Sequence, residues 1–187
     1  MITLRIDLSD KESSSFKLEQ LSSEMALGSF CCSIAEYNDY LTSNALRSRQ
    51  DNIALTWVLR KRGTDDIAAY MSLVADAIKL SVAEKELHNL NYPFRTIPAM
   101  KIAKLAVSQP FRQIYRGIGS FMIQAAHRIA RMCSNDYFAV RFLTVDADIE
   151  HDKNVLSFYK KNGFLLNNEL QNKNRKTISM RLDLYSV

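Results

Sequence analysis

The first residues alternate: Ile2, Leu4, Ile6 and Leu8 fall on one face and Thr3, Arg5 and Asp7 on the other, the period of a half-buried strand. Ser13 to Leu21 reads as a short helix of weak periodicity, broken by Gly28-Ser-Phe-Cys-Cys-Ser33. Ile34, Tyr37, Leu41 and Ala45 then recur at helical spacing to about Arg49, and Ser33 with Glu36 makes a capping-box pattern. Ile53 to Leu59 predicts a buried strand, Arg60 to Asp66 a turn, and Ile67 to Val74 a second strand, together an antiparallel hairpin. Between residues 80 and 96 the pattern is divided. Ala83 to Leu90 has helical spacing, while Asn91-Tyr-Pro-Phe-Arg95 is loop material.

The strand Lys101-Ile-Ala-Lys-Leu-Ala-Val107 follows Pro98 and leads through a polar loop, Ser108 to Tyr115, into Arg116-Gly-Ile-Gly-Ser120. That turn opens an amphipathic helix, with Phe121, Met122, Ala125 and Ile129 on one face and Gln124, His127, Arg128 and Arg131 on the other. Residues 138 to 146 predict a further strand. A helix capped by Asp152 runs through Lys161 and ends at the glycine cap Asn162-Gly163. Phe164 to Leu166 is a brief strand, Asn167 to Lys176 a polar, basic hairpin loop, and Thr177 to Leu184 an alternating strand. The order predicts one α/β domain over residues 1–187: a mixed, mostly antiparallel twisted sheet with helices on both faces.

Composition narrows the class. Nearly half of the 187 residues are apolar, so the chain can build a sizeable core. Its apolar runs are too short for a membrane span, and Met-Ile-Thr-Leu-Arg-Ile-Asp does not read as a signal peptide. Three cysteines, Cys31, Cys32 and Cys133, make no disulfide framework, and three separated histidines show no metal-ligand spacing. A cytoplasmic protein without a metal is expected. The net charge of +5 suits an anionic ligand without requiring nucleic acid.

A strand that feeds a glycine pair at a helix N-terminus is an anion-binding design, because the first N–H groups of the helix have no partner within it and carry the positive end of the dipole. Two familiar phosphate readers fit poorly. A P-loop needs Gly-Lys-Ser/Thr, and Gly119-Ser120-Phe121 has no lysine. A dinucleotide fold needs a small residue at Met122 and a turn directly after the strand, whereas nine residues separate Val107 from Gly117.

Coenzyme A is the third candidate. Lys104-Leu-Ala-Val107, Arg116-Gly-Ile-Gly-Ser120, Arg141-Phe-Leu-Thr-Val-Asp146 and Leu156-Ser-Phe-Tyr-Lys-Lys-Asn-Gly-Phe164 resemble the pattern of the GNAT superfamily of N-acetyltransferases, over about Ile97 to Phe164. Phe30-Cys-Cys-Ser-Ile-Ala-Glu-Tyr-Asn-Asp-Tyr-Leu41, Trp57-Val-Leu59 and Ala69-Tyr-Met-Ser-Leu73 are similar to the branch that includes GNAT-type toxins. The resemblance implies that acetyl-CoA is the co-substrate. Backbone of Leu105, Ala106 and Val107 would pair with pantetheine and polarise the acetyl carbonyl. N–H groups from Arg116, Gly117, Ile118, Gly119 and Ser120 would hold the pyrophosphate, with Arg112 or Arg116 adding charge. Phe158 would line the cofactor, and Tyr159 would protonate the departing thiolate after direct attack by a neutral amine.

The sequence also departs from the family pattern. Gln113 follows Arg112 where glycine is usual, and the glycine pair comes about four residues late, after Arg116. Phe121 replaces a small residue, and Asp152 stands where asparagine is usual.

The first reading is therefore an N-acetyltransferase acting on a primary amine of a small molecule or protein. One alternative is a toxin that acetylates aminoacyl-tRNA, and a second is a non-catalytic coenzyme A sensor. Arg47, Arg49, the Arg60-Lys61-Arg62 tip, Lys173, Arg175 and Lys176 are compatible with tRNA, although the tip reads most simply as a solvated turn. A homodimer is compatible too; a membrane partner is not expected. Asp146 and Asp148 are candidates to relay the amine proton, and His151 to contact substrate. His127 reads as solvated and Cys133 as structural. The acceptor side is expected from Gly28 to Asn44 and from residues 80–96.

Overall fold

The computed structural model describes residues 15–167 and 176–186. The strand expected over residues 2–8, and Lys173 and Arg175, lie outside them. Among the described residues seven strands form one sheet in the order β1-β2-β3-β4-β5-β7-β6: β1 Phe16–Gln20, β2 Leu55–Lys61, β3 Ile67–Ile78, β4 Ile97–Val107, β5 Phe142–Asp148, β6 Leu165–Leu166 and β7 Thr177–Asp183. Helices are α1 Ala35–Asp39, α2 Ala45–Gln50, α3 Val82–Leu87, α4 Gln109–Ile114, α5 Ile118–Asp136 and α6 Val155–Lys161. A π-helical turn, Tyr40–Asn44, joins α1 to α2. The described residues pack as two compact units, one from residues up to 74 with 103–125 and the other from 75–102 with those from 126 on.

In the first unit, β1 replaces the short helix expected to Leu21. Phe16 and Leu18 alternate with Lys17 and Glu19, and β1 pairs antiparallel with β2 from Phe16↔Lys61 to Gln20↔Trp57. Pairing to a neighbour outweighs weak helical spacing, because each strand residue gains a ladder bond and a cross-strand contact. Arg60 reaches Glu19 at 2.8 Å from the facing strand. β2 and β3 form the expected hairpin, shifted in register at Leu59/Arg60, with a buried Thr56–Ser72 hydroxyl pair at 2.7 Å. Leu21, Phe30, Leu41, Ala45, Val58, Ile67, Tyr70 and Ala106 pack as one apolar cluster.

The helix after Ile34 is present, but the Ser33–Glu36 box does not form: Ile34 is the N-cap residue and no side chain caps it. Asn38 serves the turn instead, accepting from the Cys32 N–H at 2.8 Å and donating to its carbonyl at 3.0 Å. The expected loop at 108–115 contains α4, with Ser108 at its N-cap and Pro110 in its first turn, where the missing N–H costs nothing. Phe111 and Tyr115 stack at 6.0 Å and both meet the edge of Phe16. Those contacts give α4 an apolar side.

The second unit is built on β5 and β7, antiparallel from Phe142↔Asp183 to Asp148↔Thr177, with β6 on β7. β5 starts four residues later than the sequence predicts, because residues to Asp136 belong to α5 and the N–H groups of Tyr137 and Phe138 close on the Cys133 carbonyl. The divided stretch at 80–96 resolves into α3, held by a capping box between Ser81 and Glu84, and a loop. Ile78, Leu80, Ile97, Ala99 and Phe142 form this unit's apolar cluster. Gly163, at φ +86°, ends α6 in the left-handed conformation that favours glycine; a Cβ there would lie 3.1 Å from Leu182. Among the described residues no helix is long and apolar enough to cross a membrane.

Candidate active site

β4 pairs parallel with β5 only over Ala99–Ile102, although the strand continues to Val107. Leu105, Ala106 and Val107 thus lie beyond that ladder, Ala106 buried and its neighbours half-buried. The chain then passes through α4 to an exposed Arg116-Gly117 bend. Gly117 has φ +83°, and a Cβ there would meet nothing within 4 Å. Its requirement for glycine is therefore conformational, and the space beside it is open.

The Gly117 carbonyl accepts the Phe121 N–H at 2.9 Å, the first bond of the long helix α5. The N–H groups of Ile118, Gly119 and Ser120 stand ahead of that ladder and have no helical acceptor. Ile118 is buried, anchoring the turn, while Gly119 and Ser120 are half-buried. The expected glycine pair divides into two roles. Only Gly117 takes the left-handed conformation; Gly119 lies within the first turn of α5. Arg112 on α4 and Arg116 on the bend are both exposed, and among the described residues neither forms an ion pair. An open turn, unspent N–H groups, a helix dipole and two available guanidinium groups suit a phosphate.

In the second unit, Tyr159 is 6% exposed and sits between two aromatic neighbours. Its ring meets Phe158 at 5.0 Å and 65°, and Phe164 at 5.3 Å and 66°. Edge-on packing on both sides fixes the ring. The Asn162 and Phe164 N–H groups both bond to its carbonyl, so the helix cap and the tyrosine share one structure.

Asp152 does not cap α6. The helix starts at Val155 behind Asn154, and the Asp152 carboxylate accepts the Asn154 N–H at 2.8 Å in the preceding turn. Aspartate suits that local bond as well as the usual asparagine would. Asp146 and Asp148 are both engaged: Lys101 lies 3.1 Å from Asp146, and His151 Nδ1 lies 2.8 Å from Asp148. His127 is half-buried, and burial, with Arg131 and Arg128 nearby, holds its pKa below the ordinary value. Burial raises the Cys133 thiol pKa.

The basic tip is not simply solvated. Arg60 bonds Glu19 and the Thr64 carbonyl, and Arg62 bonds the Phe16 carbonyl. Arg49 donates to the Leu21 carbonyl at 2.6 Å, and Lys176 pairs with Glu150 at 2.9 Å.

Two polar clusters were not anticipated from the sequence. Lys104 lies 2.7 Å from Glu36 and over the Tyr37 and Tyr40 rings in the first unit. In the second, buried Arg181 donates to Glu84 at 2.6 Å, to the Leu166 carbonyl at 2.7 Å and to His88 Nε2 at 3.4 Å. Because guanidinium can only donate, Nε2 accepts and Nδ1 carries the His88 proton, aimed at Asp183 at 2.8 Å. Arg141 meets the same carboxylate at 2.7 Å. The spacing Ser81-Val-Ala-Glu84 was a readable capping signal for the start of this network. Among the described residues no group of three or more His, Cys, Asp or Glu gathers as a metal site.

No family model matches the sequence. Solved structures do match across the chain. AtaT complexed with acetyl-methionyl-tRNAfMet superposes with a TM-score of 0.74 at 18% identity, over 90% of this chain and 94% of that one. A tyrosine-to-phenylalanine mutant of KacT gives 0.73 at 16% identity, over 89% and 95%. AtaTR bound with AcCoA gives 0.70 at 19% identity, over 90% and 94%. These matches show the fold, which is like that of the GNAT superfamily.

Proposed function

We propose that this protein is an acetyl-CoA-dependent N-acetyltransferase of the toxin type, transferring acetyl to the amino group of an aminoacyl-tRNA. The observation that carries the acetyl-CoA part is the open turn at Gly117, at the head of α5 and downstream of a β4 segment that extends past its pairing with β5. The acceptor rests on likeness of fold to AtaT complexed with acetyl-methionyl-tRNAfMet. That choice replaces the small-molecule or protein amine as the first reading.

Acetyl-CoA supplies an activated acetyl thioester when bound. Leu105, Ala106 and Val107 bind its pantetheine amides as an added strand, and a backbone N–H there stabilises the negative charge that develops on the carbonyl oxygen. Ile118, Gly119 and Ser120 N–H groups, with Arg112 or Arg116, hold the pyrophosphate. Tyr159 delivers a proton to the thiolate as the carbon–sulfur bond breaks, while the amine nitrogen gives its proton to water. Exposed Lys153, Lys160 and Lys161 on and beside α6 supply positive charge for RNA. An AtaT mutant toxin was solved bound to the C-terminus of its antitoxin AtaR. A protein partner that restrains this chain follows from the toxin reading.

The internal bonds of Arg49, Arg60, Arg62 and Lys176 favour a second reading, in which the acceptor is a small amine and those cations are structural. Thiol release from acetyl-CoA, measured with charged tRNA and with a panel of free amines, separates the two. Turnover confined to charged tRNA, with binding that falls steeply with salt, supports the toxin. Turnover on free amines alone sinks it, and absence of turnover on both sinks the enzyme reading.

A further inference from the structure

Lys104 is held in an unusual way for a lysine on a strand. Its ammonium lies 2.7 Å from Glu36 Oε1, 4.6 Å from the Tyr37 ring centroid and 5.4 Å from that of Tyr40. A carboxylate with two aromatic faces is a chemical recipe for holding an organic ammonium. The rings are fixed from behind. Tyr40 stacks on Tyr70 at 6.2 Å, Phe30 meets Tyr70 edge-on at 5.2 Å, and the Tyr70 hydroxyl donates to the Tyr37 carbonyl at 2.8 Å. Burial raises the pKa of that hydroxyl well above its ordinary value, so it stays a neutral donor. The π-helical turn begins at Tyr40 itself, and such turns concentrate at functional sites.

We propose that Glu36, Tyr37 and Tyr40 form the recognition seat for the acceptor's primary ammonium, and that Lys104 occupies it as an intramolecular stand-in. That this ammonium belongs to the acetyl acceptor rests on the reading above; the seat itself does not. Lys104 is displaceable. It is a flexible chain, and although its own side chain is 20% exposed, its carboxylate partner is 70% exposed, so water competes for the ion pair. An incoming ammonium makes the same contacts, and its carbon skeleton also covers the tyrosine faces and gains by leaving water. Lys104 directly precedes Leu105, which begins the backbone assigned to the thioester. The class recognised is a primary alkylammonium that carries an apolar or flat group. Glu36 orients the ammonium and is a recognition residue, not the proton acceptor; the nitrogen first passes one proton to water and attacks as the neutral amine.

The test titrates 2-phenylethylamine, and 2-phenylethanol as its uncharged counterpart, into the full chain without acetyl-CoA, followed by calorimetry and tyrosine chemical shifts. The amine should bind about tenfold or more tightly than the alcohol. Glu36→Gln should weaken the amine about tenfold and leave the alcohol unchanged, and Tyr40→Leu should weaken both. Lys104→Met should tighten the amine about threefold to tenfold by removing the resident competitor. Equal binding of amine and alcohol overturns the seat, as does a Lys104→Met variant that binds no better than the parent. Expected binding together with no acetyl transfer to any acceptor upholds the seat and sinks the catalytic reading. Acetyl transfer without these binding effects does the reverse.

Discussion

Two cations in this molecule have similar partners and opposite settings. Lys104 and Arg181 each meet one glutamate, and each has aromatic or imidazole groups beside it. Around Arg181 everything is dry: its side chain is 2% exposed and that of Glu84 is 6% exposed. Removing those charges from water is offset by the short bonds from Arg181 to Glu84 and to the Leu166 carbonyl, so losing the cation leaves a buried charge without its counterion. Around Lys104 the glutamate is wet, and water can replace any contact that is lost. The same chemistry makes a brace in one place and an exchangeable seat in the other.

Arg181→Met is the largest expected effect. It removes the buried cation that Glu84, His88 and the Leu166 carbonyl share, and urea unfolding should show a loss of about 3–5 kcal/mol. A loss below about 1 kcal/mol would erase the distinction between the two cations. Tyr159 sharpens it, because it is buried like Arg181 yet assigned to chemistry. Tyr159→Phe keeps the ring packing, so stability and acetyl-CoA affinity should hold while kcat falls about 10²–10⁴-fold. Unchanged turnover would return Tyr159 to the core. Gly117→Ala tests the open turn: a side chain at φ +83° costs about 1–2 kcal/mol, read as a lower Tm together with weaker acetyl-CoA binding by calorimetry. Were the affinity untouched, the turn would not hold the pyrophosphate. Lys104→Met should come last, with less than about 1 kcal/mol of stability lost in the same urea experiment.

What the sequence displayed follows from where its information is local. Tyr159 stood beside Asn162-Gly163, whose left-handed cap depends on its own residues and one neighbour, and the structure keeps that pattern intact. The buried face of α5, Phe121, Met122, Ala125 and Ile129, was legible for the same reason: helical period is written in one segment. Phe16 to Gln20 was misread because the strand is decided by β2, some forty residues away. Phe111 and Tyr115 looked like loop residues until Phe16 gave them something to pack on. Glu36 was assigned to Ser33, its neighbour in sequence, whereas its partner is Lys104. Long-range ion pairs leave no periodic trace, so neither cation could be placed before the strands were. Within the candidate site, the different backbone conformations of Gly117 and Gly119 required backbone angles.

The turn at Tyr40–Asn44 has one more consequence. A π-helical turn accommodates an extra residue without unwinding the helix, and each residue of an α-helix advances the side chains by about 100°. It therefore acts as a phase shifter, setting the angle at which α2 follows α1. Leu41 and Ala45, both at 0% exposure, are in phase with the core across it. Deleting one residue between Thr42 and Asn44 would straighten the spiral and rotate α2 away from that core, while α1 kept its own orientation. A helix that needs an irregular turn to satisfy both its ends carries two separate orientations, one for the tyrosine face and one for the core.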